Sequence, residues 1–115
     1  MLPKQNRLSS NFEFNITKKY GQYAEGYFFH IYVLKPRNYE GPAKVGFVVS
    51  NKSSKKAVDR NRIKRVFREV IGKNFDKIVP GYWVVIYPKV SSLEKGYEEI
   101  NTDFNKVIQK NLFTN

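Results

Sequence analysis

Between residues 57 and 71 the chain alternates apolar and cationic side chains with a helical period, and no other segment restricts the fold as strongly. Ile63, Val66, Phe67, Val70 and Ile71 fall at i, i+3, i+4, i+7 and i+8, the stripe that a helix turns toward a core. Gly72 marks its expected end. At about 100° per residue, Asn61, Arg65 and Arg68 lie nearly opposite that stripe. Arg62 and Lys64 fall on its two flanks, and Arg60 sits near its edge in the first turn. The helix therefore shows water a nearly continuous cationic face. Lys56 with Arg60, Arg60 with Lys64, and Lys64 with Arg68 are like-charged i,i+4 pairs, each costing a helix about 0.2–0.5 kcal/mol. A stretch carrying three such pairs points to an anionic partner; the plain alternative is a solvated surface. Arginine's planar fork grips phosphate oxygens at two points, which lysine cannot do. Asn61 can bond a base edge, a ribose hydroxyl or a phosphate.

The charge balance extends the argument to the whole chain. Over 115 residues, 21 Lys and Arg stand against 10 Asp and Glu, giving a formal net charge of +11. Such a domain attracts polyanions, nucleic acid first and anionic membrane second. It is not a disordered basic tail, because 41% of its residues are hydrophobic and 16% aromatic, enough to build a core. The length fits one domain over residues 1–115. With no cysteine there is no disulfide, thiolate metal site or cysteine nucleophile, a composition that suits a reducing cytoplasm. No apolar run approaches the roughly 20 residues of a membrane span, and the opening MLPKQNRLSSNF lacks the apolar core of a signal peptide.

Around the basic helix the pattern predicts mixed secondary structure. Phe12, Ile16 and Tyr20 recur every four residues with Phe14 between them, predicting a short helix over 11–20 that stops at Gly21. Residues 26–34 (GYFFHIYVL) read as a strand with Phe29, Ile31 and Val33 on one side and Phe28, His30, Tyr32 and Leu34 on the other. Residues 35–42 read as a loop and 44–50 as a second strand, most simply paired with the first as an antiparallel hairpin. A further strand fits 21–26 or a split of 26–34. Residues 82–87 (YWVVIY) read as a buried strand containing Trp83. Tyr97, Ile100, Phe104, Val107 and Ile108 predict a last helix from about 93 to 110, capped by Ser91 or Ser92. The class is α+β, a small sheet layered with helices.

The stretch VSNKSSKKAVDRNRIKRVFREV (49–70) resembles the signature of the bacterial ribonuclease P protein subunit. That family carries a strand ending in Val-Ser, a basic loop, Ala-Val, then Arg-Asn-Arg-x-Lys-Arg-x-x-Arg-Glu on a helix. Here Ala57-Val58, Arg60-Asn61-Arg62, Lys64-Arg65 and Arg68-Glu69 fall in register. Asn6-Arg7-Leu8, the aromatic strand with Phe29 and Tyr32, and the segments 82–86 and 97–108 extend the likeness over most of the chain. The resemblance implies a two-layer sandwich of α-β-β-β-α-β-α order with a left-handed βαβ crossover, as in the second domain of ribosomal protein S5. It implies a subunit of a tRNA-processing endonuclease whose catalyst is RNA, with Mg2+ held by that RNA and no cofactor bound tightly by the protein. The partners it implies are the catalytic RNA and precursor tRNA, with neither a membrane nor an obligate protein partner. By resemblance Arg60, Asn61, Arg62, Lys64, Arg65 and Arg68 contact the catalytic RNA. Phe14, Lys18, Tyr32, Lys52, Lys55 and Lys56 line or border a cleft for the single-stranded 5′ leader. Three positions depart from the family: Lys18 stands where a second aromatic is usual, Ser53-Ser54-Lys55-Lys56 fills the place of a loop glycine, and Pro88-Lys89 replaces an arginine.

Other chemistry finds little support. His30, the single histidine, reads as structural, without the partners of a triad or a zinc site. Glu98, Glu99 and Asp103 read as a solvated acidic patch, with weak Mg2+ contact as the sharper alternative. Glu13 and Asp59 lie near the expected RNA surface, either bridging a cation or capping a helix. No catalytic residue or metal site is expected in the protein, and alone it should hydrolyse nothing. The competing functions are a non-enzymatic RNA-binding module, such as a ribosomal protein of similar fold, and a DNA-binding protein using 57–71 in the major groove. The latter lacks a helix–turn–helix lead-in.

Overall fold

The computed structural model describes residues 2–49, 56–110 and 113. Its elements are α1 (Asn11–Tyr20), β1 (Gln22–Glu25), β2 (Phe29–Leu34), β3 (Lys44–Phe47), α2 (Ala57–Asn74), β4 (Trp83–Pro88) and α3 (Tyr97–Ile108), the expected α-β-β-β-α-β-α order. One sheet runs β1-β2-β4-β3. β1 with β2 and β2 with β4 are antiparallel, while β3 and β4 are parallel and joined through α2.

The expected hairpin between 26–34 and 44–50 does not form, because β4 lies between β2 and β3. From Trp83 to Ile86 every residue of β4 is buried, whereas β3 buries only Val45 and Gly46 and leaves Lys44 and Phe47 half-buried. The strand with apolar side chains on both faces takes a central place, and the mixed strand takes an edge. β2 also starts later than the pattern suggested, at Phe29. The amides of Tyr27 and Phe28 donate to the Asp103 carboxylate at 3.0 and 2.9 Å, which holds the turn out of the strand. Asp103 is thus a buried structural acceptor and belongs to no solvated patch; Glu98 and Glu99 are exposed in the first turn of α3. Gly26 is required here, since a Cβ would come within 2.5 Å of that carboxylate.

The main core lies between the sheet and two helices. Phe29, Ile31 and Val33 of β2, Val45 of β3, and Val84 and Ile86 of β4 pack against Ile63, Phe67, Val70 and Ile71 of α2 and Ile100, Phe104 and Val107 of α3. Each large apolar side chain buried this way contributes about 1.5–3 kcal/mol. α1 packs on β2 and β4 on the opposite face, where Leu8, Trp83 and Val85 form a second cluster with Phe14, Leu34, Tyr39 and Tyr87. The two-layer sandwich therefore carries one short helix on its second face.

Helix boundaries follow local chemistry. Ser10 caps α1 in a reciprocal capping box with Glu13, which resolves Glu13 as a cap. The four-residue aromatic spacing of α1 does not mark its buried side: Phe12 and Tyr20 are 66% and 65% exposed, and Thr17 is the buried residue. α2 runs past Gly72 to Asn74, whose side-chain amide donates to Val70 O and Asn101 Oδ1, both at 2.7 Å. α3 begins at Tyr97 with Gly96 as its cap; Ser92 is buried instead and donates to Lys89 O at 2.6 Å. Among the described residues no helix is long and apolar enough to cross a membrane.

Candidate nucleic-acid interface

The sequence of α2 fixes two faces, and the structure turns them as the periodicity requires. Ile63, Phe67, Val70 and Ile71 are buried, while Asn61 and Arg65 are exposed and Arg60, Lys64 and Arg68 half-exposed. Asp59, near the N-terminus of α2, complements the helix dipole. Among the described residues no carboxylate lies within ion-pair distance of Lys64, Arg65 or Arg68. Glu69 pairs instead with Lys73 at 3.3 Å. Arg68 lays its guanidinium 5.9 Å from the centre of the Phe47 ring, an arrangement that fixes a cation without neutralising it.

Arg62 is placed differently from its neighbours. Its guanidinium donates to Leu93 O at 2.8 Å and Lys95 O at 2.7 Å. It ties α2 to the segment that leads into α3, so its fork already holds two acceptors within the protein. Lys56 is the exposed N-cap of α2. Lys52 and Lys55 lie outside the described residues.

Beside α1 the outer sheet face forms an aromatic cleft of about 460 Å³, lined by Lys18, Tyr23, His30, Tyr32 and Tyr87. Strand alternation assembles it. Tyr23 pairs with Tyr32 and Glu25 with His30 across β1 and β2, and His30 faces Tyr87 across β2 and β4. The Tyr32 ring centre lies 5.2 Å from that of Tyr23 and 5.8 Å, edge-on, from that of Tyr87. Tyr23 stacks on His30 at 5.8 Å, and its hydroxyl lies 2.6 Å from His30 Nδ1. From α1, Lys18 holds its ammonium 5.2 Å above the Tyr87 ring. Burial, followed by the nearby Tyr32, raises the pKa of Tyr87. Burial and then the Glu25 charge raise that of Tyr23. Both phenols stay protonated and can donate. At the margin, the hydrogen bond and charge of Lys89 hold the Glu25 carboxyl below the usual carboxylate range, with a smaller push from His30.

Phe14 does not share this cleft. It lies in a separate hollow of about 170 Å³ with Arg7, Leu8, Gly46, Phe47 and Arg68. Gly46 permits that seat, since a Cβ there would come within 2.5 Å of the Phe14 ring. The structure thus brings Lys18 and Tyr32 together and sets Phe14 beside the cationic face of α2.

Three cleft residues escaped the sequence reading. Alternation along β2 already set His30 beside Tyr32, but a lone histidine carries a weak signal. Tyr87 was hidden inside a run that reads as uniformly buried. Tyr23 could not be assigned until β1 was located. Among the described residues no cluster of three or more metal-ligating side chains occurs.

Comparison with known proteins bears on this arrangement. The family model described as Ribonuclease P matches residues 2–111. The ribonuclease P protein component of Synechococcus sp. (strain JA-2-3B'a(2-13)) is 31% identical over 112 residues, covering 96% of this chain and 84% of its own. That of Finegoldia magna is 32% identical over 109 residues, covering 95% and 93%. In three dimensions the RNase P protein of Staphylococcus aureus superposes with a TM-score of 0.79 at 22% identity, covering 96% of this chain and all of that one. The Thermotoga maritima protein does so at 0.73 and 23%, covering 87% and 92%.

Proposed function

The chain belongs to the ribonuclease P protein family, and on that footing we propose that it binds a catalytic RNA through the outer face of α2 and the 5′ leader of precursor tRNA in the aromatic cleft. Phosphodiester cleavage then belongs to the RNA, which holds the Mg2+ ions, and the protein works in the cytoplasm as a cofactor subunit. The observation that carries this reading is the uncompensated cationic face of α2, where Asn61, Lys64, Arg65 and Arg68 point outward with no carboxylate partner among the described residues. Arg60 stands on the same helix. Arg62 supports that face from within by fixing the neighbouring segment.

The cleft suits a single strand for a physical reason. Bases present flat π-faces, and tyrosines with a lysine above them hold stacked bases and phosphates without demanding one sequence. Phe14, with Arg7 and Arg68 around it, extends stacking and charge toward α2. Lys56 adds charge at the start of that helix, and Lys52 and Lys55 precede it in sequence. A domain at +11 also screens the repulsion between two RNAs held together, which lowers the Mg2+ they need. The family match removes the ribosomal-protein and DNA-binding alternatives.

Reconstitution tests the reading. Added to a bacterial ribonuclease P RNA with precursor tRNA at low Mg2+, the protein is expected to stimulate cleavage at the 5′ junction and to cleave nothing alone. An absence of stimulation at any protein concentration would overturn it.

A further inference from the structure

The cleft contains a hydrogen bond that stacking alone does not explain. Tyr23 Oη and His30 Nδ1 lie 2.6 Å apart, and relative acidity decides which atom donates. A phenol titrates near pH 10, whereas a neutral imidazole gives up its N–H far less readily. The Tyr23 hydroxyl therefore donates, Nδ1 accepts, and the ring proton sits on Nε2. Nε2 has no hydrogen-bond partner among the described residues. The His30 side chain is 41% exposed and lines the cleft.

Adding one proton reverses this bond. The proton comes from solvent and goes to Nδ1, the basic nitrogen. Nδ1–H then donates to Tyr23 Oη, and the phenol proton turns outward. A self-satisfied pair becomes an imidazolium cation with a free hydroxyl donor beside it, both on the cleft wall.

The charges around His30 decide when this is favoured. β1 contributes Tyr23 and Glu25, the latter 3.7 Å from Nδ1. β4 contributes Tyr87 and, adjoining it, Lys89, which already engages Glu25. α1 contributes Lys18, above Tyr87, and β2 itself contributes Tyr32. Glu25 is already engaged by Lys89, and Lys18 lines the same cleft, so an added cation on His30 meets a cationic neighbour and a shared carboxylate. A phosphodiester lying in the cleft supplies the missing counter-charge and favours the imidazolium. Linkage makes the effect reciprocal: whatever RNA does for the proton, the proton does for RNA.

We infer that Tyr23 and His30 form a proton-linked RNA subsite, a stacked platform for one base whose imidazole takes up a proton when the strand binds. This rests on the reading that the leader occupies the cleft, and the experiment separates the two. Holoenzyme reconstituted with bacterial ribonuclease P RNA is titrated with leader-bearing precursor tRNA and with leaderless tRNA at pH 8 and pH 6. The ratio of the two affinities isolates the leader and cancels protonation elsewhere. It is expected to rise about three- to tenfold on going to pH 6, with the salt slope steepening by about 0.7 for one added phosphate contact. His30→Gln flattens the pH trend. Tyr23→Phe keeps the trend but lowers the ratio at pH 6, since no hydroxyl is released. A leader preference at pH 8 that stays flat to pH 6, or a trend that survives His30→Gln, overturns the inference and leaves the leader reading standing. No leader preference at either pH overturns both.

Discussion

At the scale of single residues, Glu13 shows how much one side chain holds in place. Its carboxylate accepts from the Ser9 amide at 2.8 Å, the Ser10 amide at 3.3 Å and the Lys44 ammonium at 2.9 Å, joining α1 to β3. Burial pushes its pKa up, but the amides of Ser9 and Ser10 and the Lys44 ammonium outweigh that and hold it below the ordinary carboxylate value. A depressed folded-state pKa means that the stabilisation is present at neutral pH and is lost as pH falls through the folded value. Glu13→Gln is therefore predicted to lower stability by about 1–2 kcal/mol at pH 7, measured by urea unfolding. The gap to the parent should close in acid, once the parent's own carboxyl is protonated; a gap that persists there would remove the charge from the account. The sequence offered Glu13 as a cap or a cation bridge, and only the Ser10 register and the distant Lys44 decided between them.

At the scale of elements, α2 carries a buried stripe, an outward cationic face and, on a flank, Arg62 tied to the segment before α3. Periodicity correctly assigned its buried stripe, because that depends on residues one or two turns apart. It set Arg62 on a flank, apart from Arg65 and Arg68, but carried nothing about what Arg62 binds, because its acceptors are carbonyls about thirty residues onward. The separation is measurable. Arg62→Ala is predicted to cost about 1.5–3 kcal/mol of folding stability, the range for hydrogen bonds to a charged group. The double variant Arg65→Ala, Arg68→Ala should stay within about 1 kcal/mol of the parent and shrink the salt slope of RNA binding by up to about two units. A slope for the double variant equal to the parent's would mean that Arg65 and Arg68 do not meet phosphate. The same limit of range explains the aromatic residues. Phe12 and Tyr20 have helical spacing, yet the apolar surface that receives α1 lies around Leu8 and Val85, beneath Phe14.

At the scale of the whole molecule, class and element order were legible, whereas the simplest pattern reading paired β2 with β3, which β4 separates. Alternation and turn residues report where strands lie; they carry little about which strand is central, since that depends on burial from both faces at once. The arrangement β1-β2-β4-β3 also bears on the order in which the chain is made. Emerging from a ribosome, β2 and β3 leave first and have no shared neighbour until residues 83–88 follow. Translation delivers the keystone after both of the strands it joins. Nascent chains stalled with their exposed portion ending before Trp83 should be cut readily by protease, and those released beyond Ile108 should resist. Early resistance would mean that a different pairing forms first and must later be exchanged.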